Sequence, residues 1–306
     1  MRIIRDTQAI TEQGVMATIG FFDGVHLGHR FLIDEVKAAA AARGLPSAVI
    51  TFAAHPRAVL QKDYQPRLLN SFEDKLRLLA TTGVDYCIVL DFTVALSQLS
   101  AEAFLRILAT EWCVKGLVIG YDHRFGHDRR DGFAQYVQYG AQYGIEVLKA
   151  AAFDAGYTEV SSSEIRRLLH EGKVELAAHL LAYSYPISGR IVSGYKVGRT
   201  LGFPTANIRP DDPMQLLPGV GVYAVWVEVA GGRYKGMLYI GSRPTLDNGT
   251  QLSIEVHILH FSGDIYDDPI RVTFERFVRG DEKFGSLEAL KAQLMRDREV
   301  VDQLLN

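Results

Sequence analysis

The sequence is poor in cysteine, with only Cys87 and Cys113 among its 306 residues. Two cysteines form neither a disulfide framework nor a zinc-binding set. This usage is typical of a reducing compartment, so we expect a cytoplasmic protein. Long apolar runs are also missing, which predicts that no segment spans a bilayer. Residues 1–6 lack the apolar core of a secretory signal, so we expect no membrane partner.

An excess of positive charge is absent as well. The net charge is −3, with 19 lysines and arginines against 21 aspartates and glutamates up to residue 182, and 14 against 15 after it. Proteins that hold nucleic acid by its phosphate backbone present a clear basic surplus. We therefore expect no nucleic-acid partner for either half of the chain.

What the chain does contain is a composition suited to globular domains, with 48% hydrophobic and 23% charged residues. Its length allows two domains, each with its own core. Up to about residue 150, strand-like and helix-like segments alternate, which predicts an α/β domain with a parallel sheet. Ser71 and Ser100 are the predicted N-caps of helices over 72–80 and 101–109. The predicted strands are Val15–Ile19, Ser47–Phe52, Tyr86–Leu90, Leu117–Ile119 and Ile145–Leu148.

The pattern of the sequence changes near residue 184. Short alternating runs separated by glycine and proline follow, and they predict an antiparallel β-barrel. We therefore predict two domains, 1–183 and 184–306. The end of the chain, 286–305, has the periodicity of one amphipathic helix. The predicted strands of this half are Ile187–Ile191, Gly221–Val229, Tyr234–Ile240, Ser253–Leu259 and Ile270–Phe277.

A glycine-rich stretch, residues 20–29, connects the first predicted strand to the first predicted helix. Such turns are where α/β folds bind nucleotide phosphates, because free backbone N–H groups and the helix dipole point at the anion. Within the stretch, His26 and His29 are candidates for stabilising charge on a phosphate, since each can donate from a ring nitrogen. The alternative is that the glycines only form a turn and the histidines cap or pack.

Two other loops follow predicted strands, where ligands of parallel sheets lie. His55 follows the second strand and is held out of a helix by Pro56, although a solvated loop histidine is the alternative. Arg124 lies in a basic loop after the fourth predicted strand. Its guanidinium could meet phosphates, and the alternative is an exposed, charge-dense loop.

Three consecutive serines, Ser161, Ser162 and Ser163, open a helix predicted over 163–170. A serine at a helix start is normally an N-cap. That interpretation accounts for one of the serines, but not for three of them followed by Arg166.

The second half contains its own glycine-rich loop over residues 194–207. Backbone N–H groups with nearby cations suit phosphate, and the side-chain oxygens of Thr205 and Asn207 suit Mg²⁺. The stretch lacks the P-loop pattern, and a plain hairpin loop is the alternative. Glu255 lies on a later strand with alternating polarity, a position that is more typical of a solvated face.

Together these motifs resemble those of bacterial bifunctional riboflavin kinase/FAD synthetases, whose first half belongs to the nucleotidylyltransferase superfamily. The matching patterns are GxFDGxHxGH from Gly20, SSSxIR from Ser161 and GRxLGFPTAN from Gly198. The resemblance covers nearly the whole chain. It implies a Rossmann-like nucleotidylyltransferase domain followed by a riboflavin kinase barrel with a terminal helix.

The resemblance also implies roles for individual residues of the first domain. Those expected to bind ATP are Gly20, Phe22, Asp23, Gly24, His26, His29, Ser162, Ser163 and Arg166. Those expected to contact the flavin or its phosphate are His55, Asp122 and Arg124.

In the second domain the resemblance implies that Glu255 is the general base, with Thr205 and Asn207 as ligands of Mg²⁺. The residues expected to bind ATP and Mg²⁺ are Gly194, Lys196, Gly198, Gly202, Thr205 and Asn207. The catalytic residues of the two domains are then His26, His29, Arg166 and Glu255.

The reactions implied are ATP-dependent phosphorylation of riboflavin to FMN, and adenylyl transfer from ATP to FMN that gives FAD and pyrophosphate. Riboflavin, FMN and ATP are the expected partners, and the question of a homo-oligomer stays open. The chain departs from the usual family pattern at Ala54, Asp122 and Tyr239. Two alternatives therefore remain, a single retained activity and a flavin-binding carrier without chemistry.

Overall fold

The computed structural model divides the chain into two compact units, Met1–Ser161 and Ser162–Asn306. The described residues are 1–6, 13–61, 63, 67–121, 124–127, 131–153, 160–194, 198, 201–244 and 250–305. Among these residues, no helix is long and apolar enough to cross a membrane.

The first unit is built on a six-stranded sheet whose neighbouring strands all run parallel. Its strands are β1 (Arg2–Ile4), β2 (Val15–Ile19), β3 (Ser47–Phe52), β4 (Tyr86–Leu90), β5 (Val114–Ile119) and β6 (Glu146–Lys149). They lie in the order β1-β4-β3-β2-β5-β6. The parallel sheet predicted from the strand–helix alternation is confirmed.

Helices lie between these strands, and two of them, α3 and α5, begin at the predicted caps. They are α1 (Leu27–Ala41), α2 (Pro56–Leu60), α3 (Phe72–Ala80), α4 (Val94–Ser97), α5 (Ala101–Thr110) and α6 (Phe133–Tyr143). The Ser71 hydroxyl accepts a hydrogen bond from the Asp74 backbone N–H, and Ser100 accepts one from Ala103. Each bond satisfies one of the N–H groups that a helix start leaves without an intrahelical partner.

Both faces of the central strands are buried. Every residue of β2 and β3 is buried, and successive residues of β2 contribute to different clusters. Val15 and Ala17 pack in one cluster with Leu105, whereas Met16 packs in another with Val36. Because side chains alternate across a sheet, helices on both faces are needed to cover them.

The second unit begins with two helices and continues as a closed antiparallel barrel with a helix at its end. The helices are α7 (Ser162–His170), α8 (Val174–Leu181) and α9 (Leu287–Leu304). The strands are β7 (Pro186–Val192), β8 (Ala206–Pro210), β9 (Gly221–Val229), β10 (Gly232–Pro244), β11 (Thr250–Ile258) and β12 (Pro269–Arg279). Around the barrel their order is β10-β11-β8-β7-β12-β9. The predicted barrel and terminal helix are confirmed.

Two strands of the structure are missing from the sequence prediction. Strand β1 has three residues and pairs only with β4, so its short sequence carries no alternation. Strand β8 begins within the glycine-rich loop that the sequence predicts over residues 194–207. It forms because β7 and β11 pair with it on both sides, and such distant partners are not visible in a local pattern.

Two aspartates attach α9 to the barrel. Asp297 is 2% exposed and its carboxylate accepts hydrogen bonds from Arg279 Nε at 3.0 Å and Gln293 Nε2 at 2.7 Å. Asp302 pairs with Lys235 Nζ at 2.8 Å, but its side chain is 46% exposed. The same lysine also donates to the Asp302 carbonyl, so it keeps one partner without the carboxylate.

The two ion pairs should therefore differ in their effect on stability. We expect Asp297→Ala to lower the free energy of unfolding by about 3–5 kcal/mol, because it leaves the Arg279 guanidinium, which is largely buried, without its counter-charge. The matched variant Asp302→Ala should lower it far less, as the loss of a solvent-exposed pair does. Urea unfolding of both variants measures the difference, and equal losses would contradict the assignment.

Candidate functional sites

The loop between β2 and α1 carries the first candidate site. Helix α1 begins at Leu27, with His26 as its extended N-cap residue. Along the loop, φ is positive at Phe22 (55°), Gly24 (83°) and Val25 (38°). Glycine adopts such angles freely, but for residues like phenylalanine and valine each costs about 1–3 kcal/mol, so surrounding contacts must hold the loop in place.

The two histidines lie against each other at the start of α1. Their ring centroids are 3.6 Å apart at an interplanar angle of 19°, and the Phe22 ring meets His29 edge-on at 5.1 Å. Burial, followed by the nearby His26 and Lys75, holds the pKa of His29 well below its usual value. Within the described part of the chain, no hydrogen-bond partner reaches the buried Nδ1 atom of His29. The imidazole of His29 is therefore neutral at neutral pH, with one ring nitrogen not engaged by those residues.

Contacts from outside the loop hold it in place. The Asp23 carboxylate accepts a hydrogen bond from the Leu69 N–H at 3.0 Å. The carbonyl of Phe21 accepts one from the Thr51 hydroxyl and one from Lys75 Nζ, both at 3.1 Å. Of the predicted ATP-binding residues, Asp23 is thus buried and engaged with the protein itself.

Lys75 was not among the residues singled out in the sequence. A lysine in a predicted helix normally faces solvent. Its position contained a signal, because Lys75 lies three residues after Phe72 and four before Leu79, on the face that α3 turns inward. Helical spacing alone thus places this lysine in the core.

His55 lies beside the same loop, because β2 and β3 are neighbours and both loops follow their carboxyl ends. Its ring contacts Phe21 edge-on with centroids 4.7 Å apart, and its Nδ1 accepts a hydrogen bond from the Arg57 N–H. The residue therefore caps α2. Arg124 is exposed, and Asp122 lies outside the described residues.

Helix α7 begins at Ser162, one residue earlier than predicted, and carries Ser163 and Arg166 in its first turns. Arg166 is half-buried, whereas its neighbour Arg167 is exposed and forms ion pairs with Glu164 and Glu171. The two arginines are therefore in different surroundings, and the exposed one is held by carboxylates of its own helix.

The barrel brings three predicted residues of the second site together. Glu255 on β11 lies directly opposite Asn207 on β8 in the strand register. The Thr205 hydroxyl donates a hydrogen bond to Glu255 Oε2 at 3.2 Å. A carboxylate, a hydroxyl and an amide thus share one side of two neighbouring strands, and their oxygens are of the kind that Mg²⁺ prefers.

Glycines lie close against this cluster. A Cβ atom on Gly194 would stand 2.0 Å from the Asn207 amide nitrogen, and one on Gly198 would stand 2.3 Å from the Phe203 carbonyl oxygen. No side chain fits at either position without displacing these groups. Gly202 has a φ of +85°, which favours glycine. Lys196 lies outside the described residues.

Tyr239 joins the second site, although no role is predicted for it from the sequence. It lies opposite Glu255 in the pairing of β10 with β11. Its hydroxyl donates to Asp281 Oδ1 at 2.8 Å, and burial together with that carboxylate raises the pKa of Tyr239 to about 12. The phenol therefore stays protonated, and it ties the barrel wall to the segment after β12.

Comparisons with known proteins match two families, one in each half of the chain. The family model described as FAD synthetase matches residues 8–164, and the one described as riboflavin kinase matches residues 181–305. A relative from Listeria monocytogenes, named bifunctional riboflavin kinase/FMN adenylyltransferase, is 38% identical over 96% of this chain and 93% of its own. An Escherichia coli relative of the same name is 37% identical over 97% and 96%.

A solved structure is also similar over almost its whole length. It comes from Streptococcus pneumoniae, is named a macrolide-efflux protein and is 31% identical to this chain. The match covers 98% of both chains with a TM-score of 0.87. With both family models matched in order and relatives aligned over nearly their full length, the chain belongs to the family of bifunctional riboflavin kinase/FMN adenylyltransferases.

Proposed function

We propose that the chain carries out both reactions of this family, phosphorylating riboflavin to FMN and then adenylylating FMN to FAD. The observation that carries the proposal is that one chain holds two separate sets of phosphate chemistry. The first unit has the stacked His26 and His29 at a helix start, and the barrel has Glu255 hydrogen-bonded to Thr205. A carrier of flavin would need neither set.

In the kinase reaction, Glu255 accepts the proton of the ribityl 5′-hydroxyl as that oxygen attacks the γ-phosphate of ATP, and ADP leaves as the bridging P–O bond breaks. The Thr205 hydroxyl orients the carboxylate through its hydrogen bond to Oε2. Thr205 and Asn207 would hold Mg²⁺, which supplies positive charge that offsets the charge of the phosphates. The close approach of Gly194 and Gly198 to this cluster leaves backbone N–H groups near the phosphates, and Lys196 adds a cation.

In the adenylyl transfer, a phosphate oxygen of FMN attacks the α-phosphate of ATP and pyrophosphate leaves. His26 and His29 donate to the oxygens on which charge accumulates, and the start of α1 adds its dipole. Ser162, Ser163 and Arg166 bind the leaving phosphates. His55, Asp122 and Arg124 contact the flavin or its phosphate. Catalysis then consists of positioning and charge stabilisation, with no covalent enzyme intermediate.

The boundary of the two functional domains is proposed at residues 183 and 184, and the protein is proposed to work in the cytoplasm. The boundary is supported by the riboflavin kinase match, which begins at residue 181. Helix α8 nevertheless packs on the barrel, since Glu175 Oε1 accepts a hydrogen bond from the Phe277 N–H at 3.2 Å. Two free cysteines, Cys87 and Cys113, support a reducing compartment.

The deciding experiment is a time course of the purified chain with riboflavin, ATP and Mg²⁺, in which the flavins are separated by chromatography. We expect FMN to rise first and then give way to FAD. If FMN accumulates and no FAD forms, only the kinase is active. If riboflavin binds tightly and stays unconverted, the chain is a carrier and the proposal is wrong.

Replacing the proposed base should separate the two reactions. We expect Glu255→Gln to slow FMN formation about 10²–10⁴-fold, the usual contribution of a general base, because the amide cannot take the hydroxyl proton. FAD formation from supplied FMN should stay at the parent rate. The matched control is Glu228→Gln, an exposed glutamate on the barrel strand β9, which should leave both rates unchanged. Loss of both activities in Glu255→Gln would argue against two sites.

The reverse separation is expected at the first site. His29→Asn should lower FAD formation from FMN about 10²-fold or more, because it removes an imidazole donor from the developing charge. Riboflavin phosphorylation by the same preparation should be unaffected, which serves as the internal check on the amount of protein. His179→Asn changes an exposed histidine on α8 and should alter neither rate. A parent-like rate of FAD formation in His29→Asn would show that the stacked pair is structural.

A further inference from the structure

Lys75 is a buried cation beneath the β2–α1 loop. The residue is 3% exposed, and its ammonium donates to the carbonyl of Phe52 at 2.8 Å as well as to that of Phe21 at 3.1 Å. Phe52 is the last residue of β3, and Phe21 lies two residues beyond β2. One side chain therefore joins the chain just beyond β2 to the carboxyl end of the neighbouring strand β3.

The ammonium also lies against aromatic faces. Nζ is 4.0 Å from the centroid of the Phe21 ring and 5.3 Å from that of Phe72. Such contacts offset part of the cost of removing a cation from water. The charge is thus surrounded by two carbonyl oxygens and two rings, and three of these four groups belong to the loop or the strand next to it.

The loop that Lys75 holds is the strained one. Phe22 and Val25 keep positive φ angles there, and Phe22 in turn contacts the His29 ring. A backbone in such a conformation persists only where neighbouring contacts fix it. Besides Lys75, the contacts that fix the loop include the hydrogen bonds from Thr51 to Phe21 and from Leu69 to Asp23.

We propose that Lys75 is a positioning residue for adenylyl transfer, because its ammonium fixes the loop that sets His26 and His29 at the start of α1. The inference rests on the proposed role of these two histidines. Lys75 touches neither ring; it acts through the Phe21 carbonyl. Burying a lysine this deeply costs free energy. Its hydrogen bonds and ring contacts with the loop offset part of that cost.

The charge on Lys75 is sensitive to pH. Burial lowers its pKa to about 8, against an attraction to the Asp23 carboxylate that raises it. The titratable groups near it are Asp23 on the loop, His29 on α1, Cys87 on β4, Asp74 on its own helix and Arg5 near the Phe72 ring. Above pH 8 the neutral amine still has N–H donors, but the bonds lose their charge assistance and weaken.

The test compares the parent with Lys75→Met, which keeps the length of the side chain and removes the ammonium. We expect FAD formation from FMN to fall at least about tenfold, because small displacements of catalytic groups are costly. Riboflavin phosphorylation in the same preparation should be unchanged. Lys37→Met is the matched control, since Lys37 donates to the Thr82 carbonyl at 2.8 Å but does not contact the loop. It should leave both rates at the parent level.

A pH profile separates positioning from simple stability. In the parent, the ratio of FAD formation to riboflavin phosphorylation should fall as pH rises through about 8. In Lys75→Met this fall should be absent. The free energy of unfolding should move in the opposite direction. Because the unfolded lysine titrates near its ordinary pKa of about 10.4, above the folded value, deprotonation favours the folded parent between these two pH values.

Thr51→Val provides a second variant in case Lys75→Met does not fold. Thr51 is fully buried, and valine removes its hydrogen bond to the Phe21 carbonyl while nearly conserving shape. We expect a loss of FAD formation, smaller than that of Lys75→Met, with phosphorylation intact. If the parent makes FAD and both variants match it, Lys75 is only structural and the inference is wrong. If the parent makes no FAD, the proposed function itself has failed.

Discussion

The parallel pairing of β2 and β3 is the constraint on which the first unit depends. It brings the ends of two strands to the same edge of the sheet, beside the carbonyl groups of Phe21 and Phe52. Backbone groups that are buried in this way must still find hydrogen-bond partners. Lys75 and Thr51 supply them to Phe21, and Lys75 supplies one to Phe52. The same two side chains therefore provide hydrogen bonds to these carbonyl groups and fix the conformation of the β2–α1 loop.

In the barrel, strand register keeps the residues of the second site together. Side chains on a strand alternate between its two faces, so a shift of one residue would carry Glu255 away from Asn207 and Thr205. The pairing of β11 with both β8 and β10 prevents such a shift, since each partner would have to slip as well. Pairing around the closed barrel thus holds the cluster of carboxylate, hydroxyl and amide in place.

The sequence predicts those parts of the structure that local patterns encode. Strands β2, β3 and β4 and the caps Ser71 and Ser100 follow from periodicity and from helix-start chemistry, and the structure confirms them. Strand β8 is different, because it depends on partners about 20 and 50 residues away in the chain.

The same limit applies to the candidate sites. The motifs point to His26, His29 and Glu255, whose residue types are typical of phosphate chemistry. Lys75 and Tyr239 are missed, since a lysine in a helix and a tyrosine on a strand are ordinary, and only the fold shows the burial of Lys75 and the hydrogen bond of Tyr239 to Asp281. Lys75 could have been found by treating its helix position as more informative than its charge.

The stacking of His26 and His29 limits how the pair can handle protons. With ring centroids 3.6 Å apart, two imidazolium ions would repel each other strongly in a buried setting. A positive charge on one ring therefore disfavours a positive charge on the other, and, in addition to burial, His26 lowers the pKa of His29 in this direction. The pair can therefore meet an anion at the start of α1 with N–H donors, but it resists carrying two positive charges there.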